Sequence, residues 1–82
     1  MASYSVVIRE TAVEELLATP FPFRRQINQR IFKLKADPRP PDAERILEDE
    51  HYRVLVAGWW ILFHVNDPVR VLTIVAITAA ET

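Results

Sequence analysis

The chain has 82 residues, half of them hydrophobic and 26% charged, with a formal net charge of −1 and no cysteine. That composition excludes a disordered polypeptide, a second hydrophobic core, a disulfide framework and any thiolate metal site. The near-neutral total hides an asymmetry. Between Pro20 and Pro40, Arg24, Arg25, Arg30, Lys33, Lys35 and Arg39 are opposed only by Asp37. From Pro41 onward, Asp42, Glu44, Glu48, Asp49, Glu50, Asp67 and Glu81 outnumber Arg45, Arg53 and Arg70.

One domain over residues 1–82 is expected, in the reducing cytoplasm, where a small fold needs no staples. The opening MASYSVVIRE lacks the apolar run of a signal peptide, and no stretch reaches the roughly 20 apolar residues of a membrane span. Tyr4 to Arg9 is rich in β-branched residues and predicts a strand. Thr11 and Glu14 form a capping box ahead of Leu16 and Leu17, so a short helix follows. Pro20 and Pro22 stop it and are tolerated in the first turn of a second helix. There Phe23, Ile27, Ile31 and Leu34 recur at helical spacing, and Asp37-Pro38 ends the pattern. The charges between them predict a solvated face that can also hold phosphates, which makes Arg30, Lys33 and Lys35 candidate RNA contacts. PRPPD is a stiff loop.

The remainder predicts three strands, HYRVLVA, WWILFHV and VRVLTIVAI, joined by Ala57-Gly58 and by Asn66-Asp67-Pro68. The fold class expected is therefore α+β: an N-terminal strand, a helical hairpin, then three antiparallel strands in one sheet with the helices on one face. A turn at Ala57-Gly58 pairs Val56 with Trp59, Val54 with Ile61 and Tyr52 with Phe63 on one face. The other face carries Leu55 with Trp60, Arg53 with Leu62 and His51 with His64. The first face is wholly apolar or aromatic and should bury against the helices, with Trp59 as a core anchor. A free sheet face usually sends polar side chains to water, and this one does not. Leu55, Trp60 and Leu62 are therefore expected to meet a partner.

The whole chain resembles the RelE/ParE superfamily of bacterial type II toxins. Leu47, Tyr52, Arg53, Gly58, Trp59, Ile61, Phe63 and Val65 match its recurring C-terminal pattern in register, VRVLTIVAI matches the last strand, and IFKLKADPRPP resembles the end of the second helix and its loop. The resemblance implies a toxin held by a cognate antitoxin, with no cofactor and no membrane. It also implies one of two targets: messenger RNA cut on the ribosome, or DNA gyrase inhibited by contact. A third reading is an interaction module that has lost its activity, with a homodimer as one form of it.

Several residues depart from the RNA-cleaving pattern. Arg53 occupies the first basic position, but Leu55 and Trp60 stand at two others, and TAAET after Ile77 supplies none. Neither leucine nor tryptophan replaces a guanidinium. Some members of the family use histidines instead, one on each hairpin strand, with an aspartate near the next turn. His51, His64 and Asp67 sit at matching positions, with Arg53 to hold the phosphate. Imidazoles titrate near neutrality and suit general acid and base roles. The blander alternative is two polar residues at the exposed end of a hairpin. The same three residues make too ordinary a set to predict a metal site. Of the two tryptophans only Trp60 is available to stack on a base.

Overall fold

The structure is a computed structural model that describes residues 3–80, apart from the side chain of Leu47. Glu81, counted above among the acidic residues, lies outside that range. Seven elements follow in order: β1 (Ser5–Ile8), α1 (Glu10–Ala18), α2 (Phe21–Ala36), β2 (Glu44–Leu47), β3 (His51–Val56), β4 (Trp59–Asn66) and β5 (Val71–Ala79). The strands make one mixed sheet in the order β1-β5-β4-β3-β2, with β1 parallel to β5 and the other neighbours antiparallel. This is the expected α+β class, with one strand more than expected.

That extra strand is β2. Its four residues, ERIL, carry two charges and a bulge between Arg45 and Leu47, so no run of alternation announces it. Pairing with β3 makes it the edge of the sheet. The start of α1 also differs from expectation. The Arg9 N–H donates to the Ile74 carbonyl at 3.1 Å, which carries the pairing of β1 one residue further. The helix therefore opens directly after it at Glu10, with Arg9 as an N-cap that makes no side-chain bond. Thr11 already lies inside the first turn, where its hydroxyl cannot cap. The second helix behaves as read, with Pro20 at the N-cap, Pro22 in the first turn and Asp37 closing the end.

The helices lie on one face of the sheet, α1 over β5 and α2 over β3 and β4. Between them, Ala12 and Leu16 of α1 and Ile27, Ile31 and Leu34 of α2 meet Tyr52, Val54, Ile61, Phe63, Val65, Leu72, Ile74 and Ile77 in one core. Thr19 is buried where the helices join, and its hydroxyl donates to the Glu15 carbonyl at 2.8 Å, so its burial leaves no unpaired donor. The β3–β4 register agrees pair for pair with the expectation. Its two-residue turn puts Ala57 at φ 51° and Gly58 at φ 85°, the left-handed pair that a type I′ hairpin requires. Trp59 is half-buried and packs against the rim of the core rather than inside it, its ring 6.4 Å from that of Phe23. Phe23 itself keeps 36% of its surface exposed, so this ring pair lies at the edge of the core. Among the described residues no helix is long and apolar enough to cross a membrane.

Candidate functional site

The face of the sheet turned away from the helices is set by the hairpin's hydrogen-bond parity. The Val65 N–H donates to the Glu50 carbonyl at 3.0 Å, so Glu50 and Val65 form a hydrogen-bonded pair and the next pair inward, His51 with His64, does not. In an antiparallel ladder the non-hydrogen-bonded pairs have the closest side chains. All three pairs of the free face, His51 with His64, Arg53 with Leu62 and Leu55 with Trp60, belong to this closer class.

The two imidazoles are accordingly in contact, with ring centroids 4.7 Å apart at a 49° tilt, and both are partly exposed. His51 Nδ1 lies 3.1 Å from the Glu48 carbonyl oxygen. A carbonyl only accepts, so Nδ1 carries the proton and the lone pair falls on Nε2 in the neutral ring. That tautomer is a competent base. The rings leave no gap for a phosphate between them, so a substrate would enter only as they rotate apart about χ1.

Two residues along the strand, Arg53 stacks on Trp60 with its guanidinium carbon 3.9 Å from the ring centroid, and its Nε donates to Glu44 Oε2 at 2.9 Å. Both contacts fix the arginine, and the second neutralises it. Arg53 is the one Lys or Arg that the described strands place on this face: Arg45, the other strand arginine, pairs with Tyr52 and bonds Glu50 at 3.2 Å on the helix side. Leu55 stands 49% exposed beside the partly covered Trp60 and Leu62. Val7, 51% exposed on β1, extends the apolar surface across the sheet.

Asp67 is not joined to the histidines. Its carboxylate takes a two-pronged contact from Arg39, Nη1 to Oδ1 at 3.2 Å and Nη2 to Oδ2 at 2.9 Å, and also accepts the Tyr4 hydroxyl. The same guanidinium binds Glu50, and its Nε lies 3.0 Å from the Tyr52 hydroxyl, which in turn donates to Glu50 at 2.9 Å. Tyr52 faces the helices, so this cluster lies across the sheet from the histidine pair. Hydrogen bonds from Arg39, then Tyr4, hold the Asp67 carboxyl below its ordinary range. Arg39 and then Tyr52 do the same for Glu50. Bonding to Asp67 pushes the Tyr4 hydroxyl up, and Asp67, Glu50 and Tyr52 together raise Arg39. Among the described residues no three His, Asp or Glu side chains gather as metal ligands.

The basic candidates on α2 are only partly assembled. Arg30 and Lys33 line a hollow of about 200 Å³ with Leu34, Asp37 and Pro40, but Arg30 is bound to Asp42, whose carboxyl it holds low. Lys35 lies over the Phe32 ring, 5.4 Å from its centroid. With α2 on the core side, the sheet stands between these cations and His51 and His64. Sequence reasoning missed two contributors. Glu44, which holds Arg53, lies on the unforeseen strand β2, and Arg39 lies in a loop whose partners no local pattern reveals.

No protein-family model matches the sequence, and no curated protein does. Solved structures do match in fold. The isolated E. coli RelE toxin superposes with a TM-score of 0.83 at 20% identity, covering 99% of this chain and 87% of that one. A chain of the RelBE2 toxin–antitoxin complex from Mycobacterium tuberculosis gives 0.83 at 15%, covering 95% and 99%. The archaeal RelE–RelB complex from Pyrococcus horikoshii gives 0.81 at 20%, covering 94% of each. The chain has the RelE fold.

Proposed function

We propose that this chain is the toxin of a cytoplasmic toxin–antitoxin pair, a single RelE-like domain over residues 1–82, and that it cleaves messenger RNA on the ribosome. The fold shared with an isolated toxin and with toxin–antitoxin complexes supports the first part. The observation that carries the second is the contact pair His51 and His64 on the free face. His51 Nε2 takes the proton of the RNA 2′-hydroxyl as that oxygen attacks phosphorus. His64, protonated, gives its proton to the 5′-oxygen as the phosphorus–oxygen bond breaks. Arg53 steadies the phosphate once it leaves Glu44. Asp67 has no part in this scheme, its carboxylate being taken up by Arg39 and Tyr4. Arg30, Lys33 and Lys35 serve at most distant, salt-sensitive contacts with ribosomal RNA.

Induction of wild type should arrest growth with ribosome-dependent cleavage, and His51→Ala or His64→Ala should each lose about 10²-fold or more of the cleavage rate. Full cleavage by both variants would end the histidine mechanism. One observation favours a second reading, a binder that inhibits a target such as DNA gyrase without chemistry: Arg53 is already committed to Glu44 and Trp60. Arrest with intact messenger RNA and a loss of gyrase supercoiling would select that reading.

On either reading the cognate antitoxin covers Leu55, Trp60 and Leu62. Tryptophan is the residue type most enriched at interface hot spots, and Trp60→Ala or Leu62→Asp should weaken the complex by about 2 kcal/mol while the free chain stays folded. Unchanged affinity of both variants in a titration would remove the patch as a docking site, and self-association lost in both would assign it to a homodimer instead.

A further inference from the structure

We infer that Arg39 is a positioning residue for the histidine pair: by clasping Glu50 and Asp67 it holds the open ends of β3 and β4 in the register that sets His51 against His64. The inference rests on the reading of those histidines as the acting groups. Glu50 directly precedes His51, and Asp67 follows the end of the strand that carries His64. The hairpin has two ends. Its tip is closed by the turn at Ala57-Gly58, whereas beyond the histidines the last described bond between the strands is the single one from the Val65 N–H to the Glu50 carbonyl. The sheet neighbours β2 and β5 hold each strand separately, and a side-chain clasp ties the two together at that end: Arg39 bonds both carboxylates at once, Nε to Glu50 at 3.1 Å and Nη2 to Asp67 at 2.9 Å.

Two features argue that the end would loosen without it. Glu50 and Asp67 would face each other as two carboxylates, with Arg45 and the Tyr52 hydroxyl left on Glu50 and Tyr4 on Asp67. In the β2–β3 turn Asp49 and Glu50 also hold left-handed backbones, φ 59° and 62°, which aspartate tolerates but which is strained for glutamate. Arg39 reaches these groups from the helix side, while the histidines point to the other, so it touches no substrate and acts through the two strands. A lysine has donors enough to reach both carboxylates but cannot reproduce the planar, two-pronged contact that fixes Asp67.

The test compares the full chain with Arg39→Met and Arg39→Lys by NMR and, separately, by RNA cleavage. In Arg39→Met the ring-to-ring contact of His51 and His64 should vanish from NOE spectra. Exchange of the Val65 amide should quicken about tenfold or more while the Ile61 amide, nearer the tip of the same hairpin, keeps its protection. Arg39→Lys should fall between. In the cleavage assay Arg39→Met should lower kcat by about 10²-fold with KM little changed, the mark of misplaced reacting groups. An undisturbed ring contact and Val65 amide in Arg39→Met would overturn the inference. So would equal acceleration at Ile61 and Val65 in both variants, which means general destabilisation. Loss of the ring contact in a chain whose wild type cuts no RNA would uphold the clasp and overturn the nuclease reading alone.

Discussion

Ala57 is one of four non-glycine residues with a left-handed backbone among the described residues. It is exposed, yet it sits at φ 51°, a conformation that costs an alanine about 1–2 kcal/mol and that asparagine tolerates better. Ala57→Asn should therefore raise stability by about 0.5–1 kcal/mol in urea melts without touching the site, since it keeps the type I′ turn and the register beyond it. Phe63 stands at the other extreme, fully buried against Tyr52 with their ring centroids 5.8 Å apart. Phe63→Ala should cost about 3–5 kcal/mol. Trp59→Ala, at the rim of the core, should cost clearly less than that, and equal losses would mean that the indole carries the core after all. Much of the candidate site was legible at this scale. The alternation of HYRVLV and WWILFHV about one turn places His51, Arg53, Leu55, Trp60, Leu62 and His64 on one face. Asp67 was not legible, because its hydrogen-bond partner lies 28 residues earlier in a loop, and spacing along the chain carries no trace of it.

Strand β5 shows why an element can be recognised and still be misjudged in detail. VRVLTIVAI reads as a plain alternating strand, but Leu62 pairs with Ala76 and Phe63 with Ile74, which leaves Val75 as the extra residue of a bulge. The bulge changes the parity, so Leu72, Ile74 and Ile77 all face the core and Ala76 does not. Ile77→Ala should then cost about 2–5 kcal/mol and Val75→Ala well under half of that in the same melts. The reverse ranking would mean that the strand runs without a bulge. The longer strands and both helices were readable because each buries a periodic face. β2 was not, because its place at the sheet edge comes from pairing with β3 and not from any pattern within ERIL. The capping-box expectation failed for a related reason: the parallel contact of β1 with β5, made by residues far apart in the chain, ties the Arg9 N–H to Ile74 and sets the start of the helix at Glu10.

For the whole molecule, the Arg39 cluster joins Tyr4, just ahead of the first strand, to the loop after α2 and two turns of the sheet, and it titrates. The Asp67 and Glu50 carboxyls are held below their ordinary values, chiefly by Arg39. Their contribution is complete above the unfolded values, about 3.9 and 4.3, and is lost as pH falls through the lower folded ones. The urea midpoint should drop from about pH 5 downward, and in Arg39→Met it should drop less steeply. Identical pH profiles would show that the cluster adds nothing to stability. Tyr4 is shifted the other way, so its share is present below about pH 10 and is lost as pH rises through its raised value. The parallel pairing of β1 with β5 has a further consequence, for synthesis. The first of the described strands is matched to the last, Ser5 to Val71 and Ile8 to Ile74, so β1 is made well before its partner. Until that last strand emerges, β1 has no backbone to pair with, although the hairpin bearing both histidines can already zip. A chain cut after Arg70 should thus be protease-sensitive although every proposed acting residue is present, because β1 has lost the strand it pairs with.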